Sequence, residues 1–547
     1  MKRHSAPLWL AAASCASALA IAGCAVMGDG NVADSGAAAA PAKSASTLGL
    51  ADAAMSQDFD RVKQLIGEKA DVGAFASDGT PALHWAVRYE NADAAKMLLD
   101  AGANPNQKSR YELTPLQIAI DNGDANMARL LLKAGADAKA LAPTGETVLM
   151  TAARQGNAGI VKALLEAGAP VDTKDEAFQQ TALMIAVREG RTDAVRELIA
   201  AKADVNAQTK AGREPAHRLP AENSGSKGLG IIRGGWPADR GMRNPIPGAK
   251  TPLIYAAREG RVEEAKLLIA AGAKLETTDA NQMTPLITAI INNKLDAARY
   301  LVEVGANINA ADWYGETPLW AAVDIRNLEV NGPNGPGVSN GVDRAKAIDF
   351  IKFLLDRGAN VNARVKEYPP EKRFITGLGS LAWVDVTGQT PFFRAAYAGD
   401  VAVMKLLLER GADPKISANE GTTPLMAAAG INWVQNQTFT EGPDAALEAV
   451  KLCYELGLDV NATNSMGLQA VHGAANRGLD KVIEFLASKG AQLDKPDNYK
   501  RTPVTWAEGV FLATNAPEAK PTSIALLQKL IAERKKAGGK MVKAKAG

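Results

Sequence analysis

KTPLIYAAREGRVEEAKLLIAAGAKLE, residues 250–276, decides how this chain folds. Thr251 can cap a helix, and Pro252 suits the first helical position, where an N–H would lack a partner anyway. Leu253, Ala256 and Ala257 give that helix an apolar face made mostly of small residues, so another helix can come close. Gly260 can end it in a left-handed conformation that a β-carbon resists. Ala265, Leu267, Leu268 and Ile269 supply a second apolar helix, which Gly272 stops in turn. Neither helix buries its apolar face alone, so the unit has to stack on copies of itself.

The copies are counted by the residue in the Leu253 slot: Leu83, Leu116, Leu149, Leu183, Leu253, Leu286, Leu319, Phe392, Leu425, Val471 and Val504. Subtraction gives intervals of 33, 33, 34, 70, 33, 33, 73, 33, 46 and 33. First helices open with TPLQIA at Thr114, TPLITA at Thr284, TPLWAA at Thr317, TPFFRA at Thr390 and TPLMAA at Thr423; second helices close with LLLKAGAD from Leu130, LLEAGA from Leu164, LLDRGANVN from Leu354 and LLLERGAD from Leu406. A period near 33 with a T-P-L-H-x-A signature resembles the ankyrin-repeat family. The resemblance covers roughly residues 48–534. It implies an all-α solenoid of helix-turn-helix units with β-hairpin fingers, and a concave face of fingers and first helices that binds partners. The family's His survives only as His84 and His472; the other slots hold Gln117, Met150, Met184, Ile254, Ile287, Trp320, Phe393, Met426 and Thr505, so apolar packing has to replace a Thr–His bond. Pro81 stands where the family has Thr, which leaves that helix without the expected cap.

A chain of 547 residues would ordinarily split into several globular domains, but the repeat makes it one elongated solenoid. Charge is balanced, with 62 Lys and Arg against 60 Asp and Glu. That argues against nucleic-acid binding, which needs a basic footprint. Three cysteines (Cys15, Cys24, Cys453) give no disulfide framework, and four histidines (His4, His84, His217, His472) argue against a His/Cys zinc site. No cofactor or metal is expected.

Residues 1–23 read as an export signal: Lys2, Arg3 and His4 precede an alanine-rich apolar run from Leu8 to Ala22, too short for a convincing membrane span. Ile21-Ala22-Gly23-Cys24 resembles the lipobox of bacterial lipoproteins, which implies cleavage before Cys24 and a lipid anchor on it; ordinary cleavage at small residues is the alternative. Ala25, by the same resemblance, points to the outer membrane of a Gram-negative bacterium, facing the periplasm. Residues 24–47 make a flexible Ala/Ser/Gly tether, Leu50 to Val72 a degenerate capping repeat, and residues 535–547 a frayed basic tail.

The long intervals locate inserts near 207–249, 324–343, 363–387 and 431–443. The first and third fall between repeats, where fingers lie; the other two separate the helices of one repeat. Loops this long in a compact scaffold are more often functional or disordered than idle. Arg233 and Trp236 in one finger insert, and Tyr368, Phe374 and Trp383 in the other, are residue types that dominate interfaces. Trp313 and Tyr314, in the finger before TPLW, join them as candidate partner contacts. Trp85, Trp320 and Trp506, on first helices, are better placed for packing. His84 and His472 are expected to make structural hydrogen bonds. His217, with Ser224 nearby, is the only basis for an alternative hydrolytic or redox site, and no nucleophile elbow accompanies it. Gly228 to Gly234 lacks both phosphate-loop patterns. The expectation is therefore a monomeric, non-catalytic protein-interaction scaffold anchored in a bacterial envelope; the alternatives are an enzyme around His217, or a small-ligand or glycan site built from insert aromatics.

Overall fold

The computed structural model describes residues 49–142, 144–212, 248–327, 342–366, 384, 387–433, 444–510 and 517–545. The chain divides into Met1–Leu48, which lies outside the described residues, and Gly49–Gly547, whose architecture follows.

The described helices come in pairs: α1 (Leu50–Met55) with α2 (Phe59–Gly67), α3 (Ala82–Arg88) with α4 (Ala92–Asp100), α5 (Pro115–Asn122) with α6 (Ala125–Lys133), α7 (Val148–Gln155) with α8 (Ala158–Glu166), α9 (Ala182–Arg188) with α10 (Thr192–Ala200), and α11 (Pro252–Glu259) with α12 (Val262–Ala270). The series continues with α13 (Pro285–Ile291) and α14 (Leu295–Glu303), α15 (Pro318–Arg326) and α16 (Arg344–Asp356), α17 (Pro391–Ala398) and α18 (Val401–Glu409), α19 (Pro424–Ala428) and α20 (Ala445–Glu455), α21 (Ala470–Arg477) and α22 (Asp480–Ser488), and α23 (Pro503–Gly509) and α24 (Pro521–Lys545). Each first helix packs on the next first helix, without a break from α1 to α23.

Local chemistry sets the helix ends. Thr114, Thr251, Thr284, Thr317, Thr390, Thr423 and Thr502 each accept the backbone N–H three residues on, with proline at the first helical position. Pro81 gives α3 no such cap, as its sequence implied. Gly260 (φ 73°) and Gly272 (φ 92°) take the left-handed conformation at the ends of α11 and α12. The residues in the Leu253 slot are buried from Leu83 to Val471; Val504, in the terminal pair, is half-buried.

A second device joins the pairs. At the exit of a second helix an asparagine spans to the next repeat, donating from Nδ2 to a glycine carbonyl and accepting a backbone N–H on Oδ1. Asn106 does this with Gly135 and Asp137, Asn206 with Gly272 and Lys274, Asn309 with Gly358 and Asn360, Asn362 with Gly411 and Asp413, and Asn461 with Gly490 and Gln492. One of these clamps bridges the interval of 70 and two bridge the interval of 73, so the stack runs through those inserts as if they were absent.

Several sequence boundaries are corrected. Ala207 to Lys210 belong to a regular finger, because Thr209 N donates to Lys250 O (3.1 Å) and Lys250 N to Thr209 Oγ1 (2.9 Å). Gly248 (φ 101°) closes the neck of that insert; a β-carbon there would lie 1.8 Å from Lys210 O. The third insert narrows likewise, with Val365 N bonded to Gln389 O at 3.1 Å. Helix α15 continues to Arg326, three residues into the stretch assigned to an insert. The tail is helical where it was expected to fray: α24 continues to Lys545. Among the described residues the fingers are tight turns without strands, carrying only the bridges Phe75–Pro81 and Leu141–Thr147.

Candidate interaction surface

The fingers are built by carboxylates that fold their own turns. Asp175 Oδ1 accepts from Phe178 N (2.6 Å); Asp312 Oδ1 accepts from Tyr314 N (2.9 Å) and Glu316 N (2.8 Å); Asp497 Oδ1 accepts from Tyr499 N (2.8 Å) and Arg501 N (2.9 Å). Neighbouring fingers are tied by backbone bonds, among them Arg110 N to Gly79 O (2.9 Å), Lys210 N to Phe178 O (2.9 Å), Trp313 N to Asn281 O (3.0 Å) and Lys366 N to Tyr314 O (2.8 Å). The finger side is thus a fixed comb.

Its teeth differ along the molecule. In the first four fingers, Phe75 (56% exposed), Tyr111 (63%), Leu141 (56%) and Phe178 (65%) stand in solvent. Tyr111, Phe178 and Tyr314 share one register, three residues before the capping threonine, yet Tyr314 is fully buried. Its ring meets Trp313 edge-on at 4.9 Å, and Trp313 is half-buried. Tyr314 is therefore no open partner contact: the next finger passes along it, and its phenol lies in the interior.

Behind the buried finger the first helices carry charge. Arg394 Nε donates to Asp324 Oδ1 (2.7 Å) and Arg394 Nη2 to Asn327 O (3.2 Å), while Arg326 Nε donates to Asp400 Oδ2 (2.8 Å) and Arg344 approaches the same oxygen (3.6 Å). The side chains of Arg394, Asp324, Arg326 and Asp400 are each 6% exposed or less. Asp400 also caps α18 through Val403 N (3.3 Å). These ion pairs, with Tyr397 Oη donating to Asn432 O (2.8 Å), lock α15, α17 and the turn after α19 together. The sequence reading missed this network. Its signal was Arg394 in the slot that holds Tyr255 and Thr288 in other first helices.

The slot of the family histidine shows three solutions. Gln117 accepts from Thr114 N (2.8 Å) and donates to Leu141 O of the next finger (2.9 Å). His84 Nε2 bonds Leu113 O (2.9 Å), again in the next finger, and His472 Nδ1 accepts from Gln469 N (3.0 Å). Burial holds both imidazoles below the usual histidine range, His472 to about 4. Met150, Met184, Ile254, Ile287, Trp320, Phe393 and Met426 fill the slot with buried apolar side chains, as expected. Trp506 is buried with its indole N–H on Asp497 (3.0 Å), and Trp85 stacks on Tyr89 at 5.7 Å. Burial pushes the Cys453 thiol up to about 12, which removes its nucleophilic form at neutral pH.

Arg233, Trp236, Tyr368, Phe374 and Trp383, together with His217, Ser224 and Cys24, lie outside the described residues. Among the described residues no three His, Cys, Asp or Glu side chains cluster to hold a metal, and no helix is long and apolar enough to cross a membrane. On the second-helix side, Phe353 sits between the guanidinium groups of Arg299 and Arg357, each 4.1 Å from the ring centre, beside a shallow cavity of about 320 Å³. That cluster carries both signs, since Asp349, Asp356 and Lys352 complete its rim.

A family model of ankyrin repeats in three copies matches residues 50–142, 135–209, 231–312 and 253–330, and a model of the single ankyrin repeat matches residues 387–419. Together the matches span just over half of the chain. The chain belongs to the ankyrin-repeat family. Among characterised ankyrin-repeat proteins, human ankyrin repeat domain-containing protein 63 is 28% identical over 166 residues, covering 28% of this chain and 36% of that protein; the mouse protein is 29% identical over 145 residues, 26% and 30%. Neurogenic locus notch homolog protein 1 of Xenopus tropicalis is 45% identical over 58 residues, covering 11% of this chain and 2% of that one. The chain thus spans about a third of the length of the first of these relatives. The ankyrin repeat domain of Bcl-3, described as a unique member of the IkappaB family, superposes with a TM-score of 0.35 at 24% identity, covering 45% of this chain and 95% of that domain. Ankyrin repeats as a class are protein-interaction scaffolds.

Proposed function

We propose that this chain is a non-catalytic scaffold that holds a partner protein against its finger side. The observation that carries the reading is the unbroken stack: asparagine clamps and first-helix packing continue through each long finger interval. A platform fixed in this way loses little entropy on docking. The paired neck at Thr209, Gly248 and Lys250 closes this insert on the finger side without disturbing the repeats around it. Arg233, Trp236, Tyr368, Phe374 and Trp383 are the side chains proposed to select the partner.

The export signal at residues 1–23 and a lipid on Cys24 would tether the scaffold to the envelope of a Gram-negative bacterium, facing the periplasm, with residues 25–46 giving it reach. The support is the lipobox-like Ile21-Ala22-Gly23-Cys24. Mass spectrometry of the mature N-terminus tests this: a diacylglyceryl-modified Cys24 is expected, and an unmodified Met1 or a free small-residue terminus overturns it.

Crosslinking and pull-down from membranes, with the intact chain beside one lacking residues 213–247, tests the scaffold. Loss of a specific partner from the deletion, with the fold intact, is expected. Recovery of the same partners by both removes the insert from the account, and recovery of none by either removes the scaffold.

A further inference from the structure

The described residues expose large apolar side chains at five places only, Phe75, Tyr111, Leu141, Phe178 and Tyr499, and all five lie in fingers. Four stand on four consecutive fingers. We propose that this row docks an extended, basic segment of the partner protein, carrying an apolar side chain at about every third residue. The proposal rests on the scaffold reading and names the surface and the partner chemistry.

Exposed apolar side chains are ordinary when scattered; one on each of four consecutive fingers of a fixed comb is not. The comb is stiff because each turn is closed by its own carboxylate or backbone bonds, as at Asp175 and Phe178, and because neighbouring fingers share bonds such as Arg110 N to Gly79 O. Stacked helices repeat at about 8–10 Å, and an extended polyproline II segment rises about 3.1 Å per residue with three residues per turn, so about every third side chain faces the comb and meets one tooth. Burial of four such side chains against apolar partners supplies the affinity.

Charge decides the rest of the sequence. The four fingers, residues 71–81, 104–114, 137–147 and 170–181, hold eight Asp and Glu against four Lys and Arg. Lys108 and Glu112 pair with each other (3.0 Å) and Glu146 pairs with Arg154 of α7, which leaves six acidic groups against three basic. A segment with lysine or arginine between its apolar residues meets complementary potential; an acidic one meets repulsion. The register of Tyr111 and Phe178 is closed in the middle of the stack, where Tyr314 is buried, so the docking row ends before that finger.

The test uses the full chain and two labelled peptides, one repeating Phe-Lys-Ser and one repeating Phe-Glu-Ser, read by fluorescence anisotropy at low salt. The basic peptide is expected to bind at least about tenfold more tightly, and the double variant Tyr111→Ser/Phe178→Ser to lose at least about tenfold of that affinity with an unchanged thermal melt. Equal binding of both peptides, binding of neither, or indifference to the double variant overturns the proposal. Sedimentation of the unlabelled chain covers the remaining occupant: self-association abolished by the double variant assigns the row to a second copy and overturns a separate partner. Crosslinking from membranes separates this inference from the one beneath it. Partners kept by the double variant sink the row while the scaffold stands; partners absent from the intact chain sink the scaffold.

Discussion

The finger at Tyr111 and the finger at Tyr314 share a register and a turn, and they differ in almost everything around them. Tyr111 is 63% exposed over first helices with apolar interiors; Tyr314 is fully buried beside Trp313, near first helices that carry buried ion pairs. The same repeat geometry therefore yields an open comb at one end and a sealed block in the middle. Occupancy of a slot in the repeat does not fix its exposure; the packing of neighbouring fingers does.

The largest expected effect breaks the sealed block. Asp400→Ala leaves Arg326 without its carboxylate and removes the cap of α18, so a loss of about 3–5 kcal/mol is expected, as for other broken buried ion pairs. Hydrogen exchange should show the loss concentrated in α15 to α20. A loss under about 1 kcal/mol would mean that the network is solvated and the block is not sealed.

The comparison sharpens with the two tyrosines. Tyr314→Ser removes a fully buried ring and should cost about 3–4 kcal/mol, whereas Tyr111→Ser should stay within about 0.5 kcal/mol of the parent. Urea denaturation measures both. Equal costs would contradict the assignment of open and closed fingers.

The smallest effect compares the two ends at the family-histidine slot. His472 has a folded pKa of about 4 against an ordinary 6.5, so its neutral form belongs to the folded state. The unfolded chain takes the proton first as pH falls. Stability is thus full above pH 6.5 and declines toward pH 4, by up to roughly 3 kcal/mol. Gln117 fills the same slot without titrating. His472→Gln should flatten the decline in the last repeats, measured by urea midpoints at pH 7 and pH 4.5. An unchanged pH profile would show that His472 is solvated or already charged.

Much of the fold was legible because it is local. Thr251-Pro252, Gly260 and Gly272 each act within one turn of the helix they bound, and Leu253 repeats its role wherever its neighbours recur. The apolar replacements for the family histidine followed for the same reason. Tyr314 was misjudged because burial of a finger depends on the finger beside it, which the spacing of one repeat does not encode. The Asp324–Arg394 and Arg326–Asp400 pairs join residues 70 and 74 positions apart, across an interval of irregular length, so no periodic pattern exposes them. The helical tail was missed because the composition of a charged run describes its solvation, not its backbone. Insert boundaries were drawn too wide because interval arithmetic cannot see that Thr209 and Lys250 still pair.

The central claim is that the stack is continuous across the first insert. Hydrogen exchange on a chain that joins residue 212 directly to residue 248 tests it most directly. The account predicts unchanged protection of α9 and α11 and one cooperative unfolding transition, since Asn206 still reaches Gly272. Faster exchange from α11 onward, or separate transitions on either side of the junction, would contradict it.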